Sequence, residues 1–249
     1  MEDFFYIIVG DDYEEFAKQN HVYTVSDFYK KVTEHTDWPH QHANIIIGQG
    51  INYHNRKFIE ELLVERKIEH IQSIPPIAKL SDTHKCTEEN VLITAPEKLG
   101  KLSYGFNLSI TDKVDRLSDH VTNQHVGAML LMEAARQATI VVLELEYCQN
   151  ASFGLILDNF VSNFNEYLFP LPTSLQTTII EKKVSSKNIT VEVRTSITQT
   201  DTHIGTISLD VTLCDSKILG KIESRKSQGA VKALSEINEN ILEKELEIA

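Results

Sequence analysis

Between Asp119 and Ala138 the chain reads DHVTNQHVGAMLLMEAARQA: a turn carrying His120 and His125 runs into an apolar helix that holds Glu133, Arg136 and Gln137. A helix apolar on every side belongs in a protein interior, and a carboxylate there costs several kcal/mol unless it is paired or used. Desolvation can raise the pKa of such a carboxylate until it exchanges protons near neutral pH. His120 or His125 could be its acid/base partner. The structural alternative is a fixed pair, with Glu133 held by Arg136 or by a backbone N–H, and Arg136 could equally anchor a phosphate or another polar end of a substrate. Helical spacing puts Glu133 and Gln137 on one face, and the stripe continues through Ile140 and Glu144. His120, His125 and Glu133 are also acceptable zinc ligands by type.

Two other places have the right residue types and weaker spacing. His40 and His42 in WPHQH would share a face on a strand, yet no third ligand is near in sequence, and the segment reads as a solvated loop. GQG at 48–50 follows a strand and precedes a helix, where phosphate-binding turns occur, but it lacks a third glycine and any Lys-Ser/Thr. It reads as a tight turn. Against an acidic background, EKKVSSK (181–187) and KILGKIESRK (217–226) concentrate basic residues, either as solubilising lysines on exposed strands or as a patch for an acidic partner.

The elements that must position these residues change character along the chain. Up to about Leu80, β-branched runs alternate with helical ones: strands at 4–10, 21–25, 44–50 and 71–77, helices at 14–19, from Ser26 and through 52–70. This is the order of a small Rossmann-like α/β domain over residues 1–80. Pro75-Pro76 and the polar stretch 81–90 read as a linker. Beyond it come strands at 91–95 and 101–111, a helix over about 126–146, and four strand-like segments at 152–165, 174–184, 188–200 and 203–214. That α+β order fits a sheet wrapped around a central helix over 81–230, followed by a charged amphipathic tail at 231–249, lying on the surface or partly ordered.

Bulk properties narrow the classes. A net charge of -12 argues against a general binder of nucleic acid or anionic membrane, both of which need a positive field. No apolar run approaches the ~20 residues of a spanning helix. The start MEDFFYIIVGDDYEE shows no basic flank or cleavage site, so the reading is a cytoplasmic protein. Cys86, Cys148 and Cys214 are far apart and in no metal spacing, as expected of reduced thiols.

The stretch DHVTNQHVGAMLLMEAARQA resembles the A-factor biosynthesis (AfsA-type) hot-dog family, whose usual pattern is close to DHxxDHVPGMLLLEAARQA, and HKCTEENVLIT (84–94) is similar to that family's opening segment. The likeness covers roughly residues 81–225. Gly127-Ala128 stands where the family has Pro-Gly, and one hot-dog repeat stands where the family usually has two. The resemblance implies a hot-dog fold in which helix N-terminal amides near Gly127 and Ala128 face a thioester carbonyl. It further implies Glu133 working with a histidine, Arg136 and Gln137 contacting substrate, and no metal or cofactor. The implied activity moves a β-ketoacyl group from an acyl carrier protein or coenzyme A thioester to a small hydroxylated, phosphorylated acceptor, as in γ-butyrolactone-type signal synthesis. A 3-hydroxyacyl-thioester dehydratase or thioesterase, and a non-catalytic acyl-binding protein, remain open. A single repeat implies a homodimer.

Overall fold

The computed structural model describes residues 5–40, 42–68, 70–72, 74–114, 123–147, 153–184 and 188–248. Two sheets of opposite kind organise them. In the first, β1 (Phe5–Val9), β2 (Val22–Thr24), β3 (Asn44–Ile47) and β4 (His70–Gln72) lie parallel in the order β2-β1-β3-β4. The helices α1 (Val25–Glu34) and α2 (Tyr53–Glu65) follow β2 and β3. Side chains cap both: Thr24 Oγ1 accepts from the Asp27 N–H at 3.1 Å, and Asn52 Oδ1 from the Asn55 N–H at 2.9 Å. Helix α1 begins just before the expected Ser26, whose N–H and hydroxyl both donate to the Asp11 carboxylate. Phe28 and Val32 of α1 and Ile59 and Leu63 of α2 pack with Ile8, Ile45 and Ile47. The short helix expected over 14–19 is instead a 3-10 turn, Phe16–Lys18, preceded by another at Asp11–Tyr13. Six residues are too few to repay α-helix nucleation.

The second sheet is antiparallel. β5 (Glu97–Gly100), β6 (Ser103–Asn107), β7 (Phe153–Phe164), β8 (Ser174–Val184), β9 (Asn188–Gln199) and β10 (Thr202–Asp215) lie in the order β5-β6-β8-β9-β10-β7. A one-turn helix, α3 (Leu80–Thr83), precedes it, and α4 (Ala128–Tyr147) falls between β6 and β7 in sequence and packs on β8, β9 and β10. Leu130, Leu131, Ala134, Ala135, Ala138 and Val142 are buried there, which is why α4 carries so few charges. The α+β expectation of one long buried helix against an antiparallel sheet is met. The strand expected at 91–95 forms only isolated bridges, Ile77 with Thr94 and Ile93 with Leu108.

After β10 a 33-residue helix, α5 (Ser216–Ile248), begins well before Val231 and takes in the basic segment 217–226, expected on a strand. Leu219 packs over Gly154 of β7, whereas residues 220–237 are all exposed. Residues 220–237 of the helix therefore bury no face against the rest of the described chain.

The two sheets share a core, since Val9, Tyr13 and Val22 cluster with residues of α4 and the antiparallel sheet. GQG at 48–50 forms the joint. Gln49 is fully buried and behaves like a strand backbone: its Oε1 accepts from the Ile110 N–H at 2.8 Å and its Nε2 donates to Leu108 O at 3.0 Å. Gly50 has φ +80, and a Cβ on Gly10 would stand 1.9 Å from the Gly50 carbonyl oxygen. Both sides of that contact are backbone, so neither can step aside. Gly10→Ala is expected to lower stability by about 3 kcal/mol, read as a drop in the chemical-denaturation midpoint with unchanged m-value.

Candidate functional site

Glu133 is the hub of a four-residue cluster, three members of which lie on α4. Arg136 grips its carboxylate with two bonds, Nε to Oε2 at 2.7 Å and Nη2 to Oε1 at 2.8 Å. Lys85 Nζ lies 2.6 Å from Oε1, and Gln137 Nε2 donates to the same oxygen at 3.0 Å. Gln137 is fully buried and locked at both ends, its Oε1 accepting from the Leu92 N–H at 2.9 Å and its Nε2 donating to Asn90 O at 2.8 Å. The amide group thus has a fixed orientation, and it passes that rigidity to Glu133.

The polar stretch 81–90, read as a linker, is the other wall of this cluster. Lys85 reaches Glu133, and at the far end of the Glu133, Gln137, Ile140, Glu144 stripe His84 Nε2 sits 3.4 Å from Glu144 Oε1. His84 adopts φ 55, a left-handed turn that ends α3 and presents His84 and Lys85 to α4. Sequence reasoning placed Lys85 in a family-like motif and gave it no role. Its signal was HKCTEENVLIT itself, whose Lys85, Asn90 and Leu92 all contact Glu133 or Gln137.

Electrostatics follow from this packing. Burial alone would raise the Glu133 carboxyl, but hydrogen bonds from Arg136, Lys85 and Gln137 outweigh it and lower its pKa from the ordinary 4.5 to about 2. The hydrogen bond to Glu133 in turn raises Arg136. This corrects the expected raised pKa: the carboxylate is desolvated, and it is paired as well. Two cations on one carboxylate leave the cluster net positive. Arg136 and Lys85 remain partly open to solvent, with side chains 33% and 22% exposed.

The start of α4 is open. Gly127 is half-buried with no atom within 4 Å of where a Cβ would stand, and Ala128 and Met129 are exposed. The Val126 N–H is bound to Leu168 O at 2.8 Å and the Leu130 N–H to Gly127 O at 3.1 Å, which fixes the turn into the helix. First-turn N–H groups of a helix lack intrahelical acceptors, so those of Ala128 and Met129 point out of an uncrowded helix end. His125, just upstream, meets Tyr167 edge-on at 5.0 Å between ring centres. His120 lies outside the described residues, so the choice between the two histidines stays open.

Other candidates separate from the site. His40 and His42 are exposed. Among the described residues no group of three His, Cys, Asp or Glu side chains is placed to hold a metal ion. Cys86 is exposed and Cys214 buried, both as free thiols, while Cys148 is outside the described residues. The register puts the last residues of β8, the first of β9 and the start of α5 at one end of the sheet, since Val184 pairs with Ile189 and Asn188 with Cys214. That end is where α4 leads into β7, because Phe153 pairs with Asp215. The Val126 N–H just before the helix is bonded to Leu168 O, beyond the opposite end of β7, and the 20 residues of α4 span roughly 30 Å. Within one chain the basic segments are therefore not beside the open helix end. No helix among the described residues is long and apolar enough to cross a membrane.

The model of the A-factor biosynthesis hotdog domain matches residues 67–215, more than half of the chain, and the chain belongs to that family. No curated protein matches it. Among solved structures it is similar to a mutant of a thioesterase from Staphylococcus aureus subsp. aureus Mu50, at 10% identity and TM-score 0.37, over 48% of this chain and 92% of that one. It is also similar to a putative thioesterase from Shewanella oneidensis, at 6% identity and TM-score 0.38, over 49% and 82%, and to a conserved protein from Pseudomonas aeruginosa, at 8% identity and TM-score 0.37, over 47% and 86%.

A carboxyl group whose pKa is lowered on folding stabilises the fold above its unfolded value and loses that contribution as pH falls through the folded value. Glu133 should thus contribute a few kcal/mol at neutral pH, fading between pH 4.5 and about 2. Denaturation of the wild type and Glu133→Gln across pH 2 to 7 measures this: the stability gap should be full at pH 6 and shrink steadily below pH 4.5.

Proposed function

We propose that the protein is an acyl-thioester enzyme of hot-dog type that transfers a β-ketoacyl group from an acyl carrier protein or coenzyme A thioester to the hydroxyl of a small phosphorylated acceptor. The observation that carries this reading is the open helix end at Gly127 next to a rigid, net-positive cluster on the same helix, in a chain of the A-factor family. The thioesterase names of two similar structures agree with thioester chemistry.

In this reading the acceptor oxygen attacks the thioester carbon, and the carbonyl oxygen becomes an oxyanion held by the amides at Gly127 and Ala128. The C–S bond then breaks and the thiol leaves with a proton. A carboxylate with a pKa of about 2 is a weak base, so the proton passes through His125 or His120, while Glu133 orients Arg136 and Lys85. Those two cations hold the acceptor's phosphate, and Gln137 keeps Glu133 in place. Residues 1–80 make a Rossmann-like unit and the hot-dog domain begins near residue 81, with a tail beyond about 230.

The active form is a homodimer. β7 is a 12-residue edge strand whose outer side has no partner strand among the described residues, with Leu157, Val161 and Phe164 exposed. Edges of this length and polarity pair with something, and a second copy does so with twofold symmetry. Val161→Lys should convert the dimer to monomer in sedimentation velocity, without loss of secondary structure by circular dichroism.

A second reading, acyl binding without turnover, draws on the contacts that Arg136, Lys85 and Gln137 already make to the Glu133 carboxylate. Intact-mass analysis of a β-ketoacyl-loaded carrier protein, with and without dihydroxyacetone phosphate, separates the two. Transfer predicts acceptor-dependent unloading that falls about a hundredfold in Glu133→Gln through lost positioning. Unloading without acceptor would indicate hydrolysis, water loss from a 3-hydroxyacyl load a dehydratase, and retained load with tight binding the non-catalytic reading.

A further inference from the structure

Among the described residues, loops of the parallel sheet bond to both stems of the connection that leads from β6 into α4. At the first stem, Gln49 bonds Leu108 and Ile110, the Gly50 N–H donates to Ile110 O at 2.9 Å, and Asn52 Nδ2 donates to Asp112 Oδ2 at 2.9 Å. At the second, the Phe16 N–H donates to Asn123 O at 3.1 Å, Asn123 Nδ2 donates to Glu14 Oε1 at 3.2 Å, and Phe16 stacks on Phe169 at 5.6 Å between ring centres. Asn123 holds φ 58, a left-handed conformation that few residues adopt without support. Phe169 follows Leu168, whose carbonyl anchors Val126 immediately before the helix.

We infer that the N-terminal α/β unit is a positioning scaffold for the hot-dog site, with Phe16 and Gln49 setting where the N-terminus of α4 stands. The sheet's own ligand position supports this. In open α/β sheets ligands bind beyond the carboxyl ends of the strands, where the strand order reverses, here between β1 and β3. That place is closed by the contact of Gly10 with Gly50 and by Pro170 O, which accepts from the Gln49 N–H at 3.0 Å and would stand 2.2 Å from a Cβ on Gly48. The nearby pocket lined by Ile47, Gln72, Asn107 and Thr173 measures about 180 Å³, below the ~300 Å³ at which ligand sites begin. The glycines that would let a backbone approach a phosphate let it approach the other half of the protein.

The scaffold role deepens the acyl-thioester reading and rests on it only for the binding arm of its test. Hydrogen exchange of the full chain is followed in peptides covering 123–131 and 134–147. Phe16→Ala should speed exchange about tenfold or more in the first peptide and leave the second unchanged; Phe16→Tyr, which keeps the ring stack, should restore the wild-type rate. Phe58→Ala, on the outer face of α2, is the control and should change neither. If Phe16→Ala fails to fold, Asn123→Gly, which keeps the left-handed turn and removes the bond to Glu14, supplies the same readout. Unchanged exchange at 123–131, or an equal rise in both peptides, overturns the inference. Affinity for a β-ketoacyl thioester should fall in Phe16→Ala and recover in Phe16→Tyr. A wild type that binds no thioester removes the acyl-thioester reading while the exchange result still decides the scaffold role.

Discussion

A carboxylate inside an apolar helix must be neutralised, and the neutralisation of Glu133 organises the rest of the hot-dog half. Arg136 lies one turn further along α4 and supplies one cation. Lys85 comes from a separate segment, which is thereby bound to the helix. Gln137 closes the set by joining the same carboxylate to the backbone of Asn90 and Leu92. Removing one member leaves the others charged or unpaired in a low-dielectric setting, the costly way to break such a network. The segment 84–92 is therefore part of the site's frame, and its short excursion from strand geometry is the price of serving the helix.

The same constraint limits the chemistry. An ionised, paired carboxylate is a poor proton donor and a weak base, which under the proposed reaction leaves Glu133 the work of orientation and charge placement. The open helix end near Gly127 offers partial positive charge where a carbonyl oxygen can approach, and the net-positive cluster lies one to two turns along the same helix. Both are rigid: the cluster through Gln137, the helix start through Leu168 and the bracing turn at Phe16. Placement of this kind is what electrostatic catalysis requires.

Sequence periodicity made α4 legible because an all-apolar helix has no other stable home, and the four long strands were legible from their β-branched alternation. β5 was not. Glu97–Gly100 is exposed throughout as an edge strand and shows no alternation. Residues 91–95 misled in the other direction: Val91 to Thr94 are fully buried and look like a strand, yet their backbone groups are divided among Gln137, Asn107 and isolated bridges. The members of the cluster on α4 were visible as a motif, whereas the direction of the Glu133 pKa depended on Lys85, 48 positions earlier, and no spacing rule links the two. Gln49 was equally hidden, because a glutamine between two glycines reads as a turn until its side chain is seen replacing a strand.

The most direct test is the ionisation of Glu133 itself, followed in the folded protein by the carboxyl ¹³C shift, assigned by comparison with Glu133→Gln. The expected result is a titration midpoint near pH 2, with the resonance still at its ionised position at pH 4.5. A midpoint above the ordinary 4.5 would contradict it, showing a carboxyl governed by burial and free to act as a proton donor.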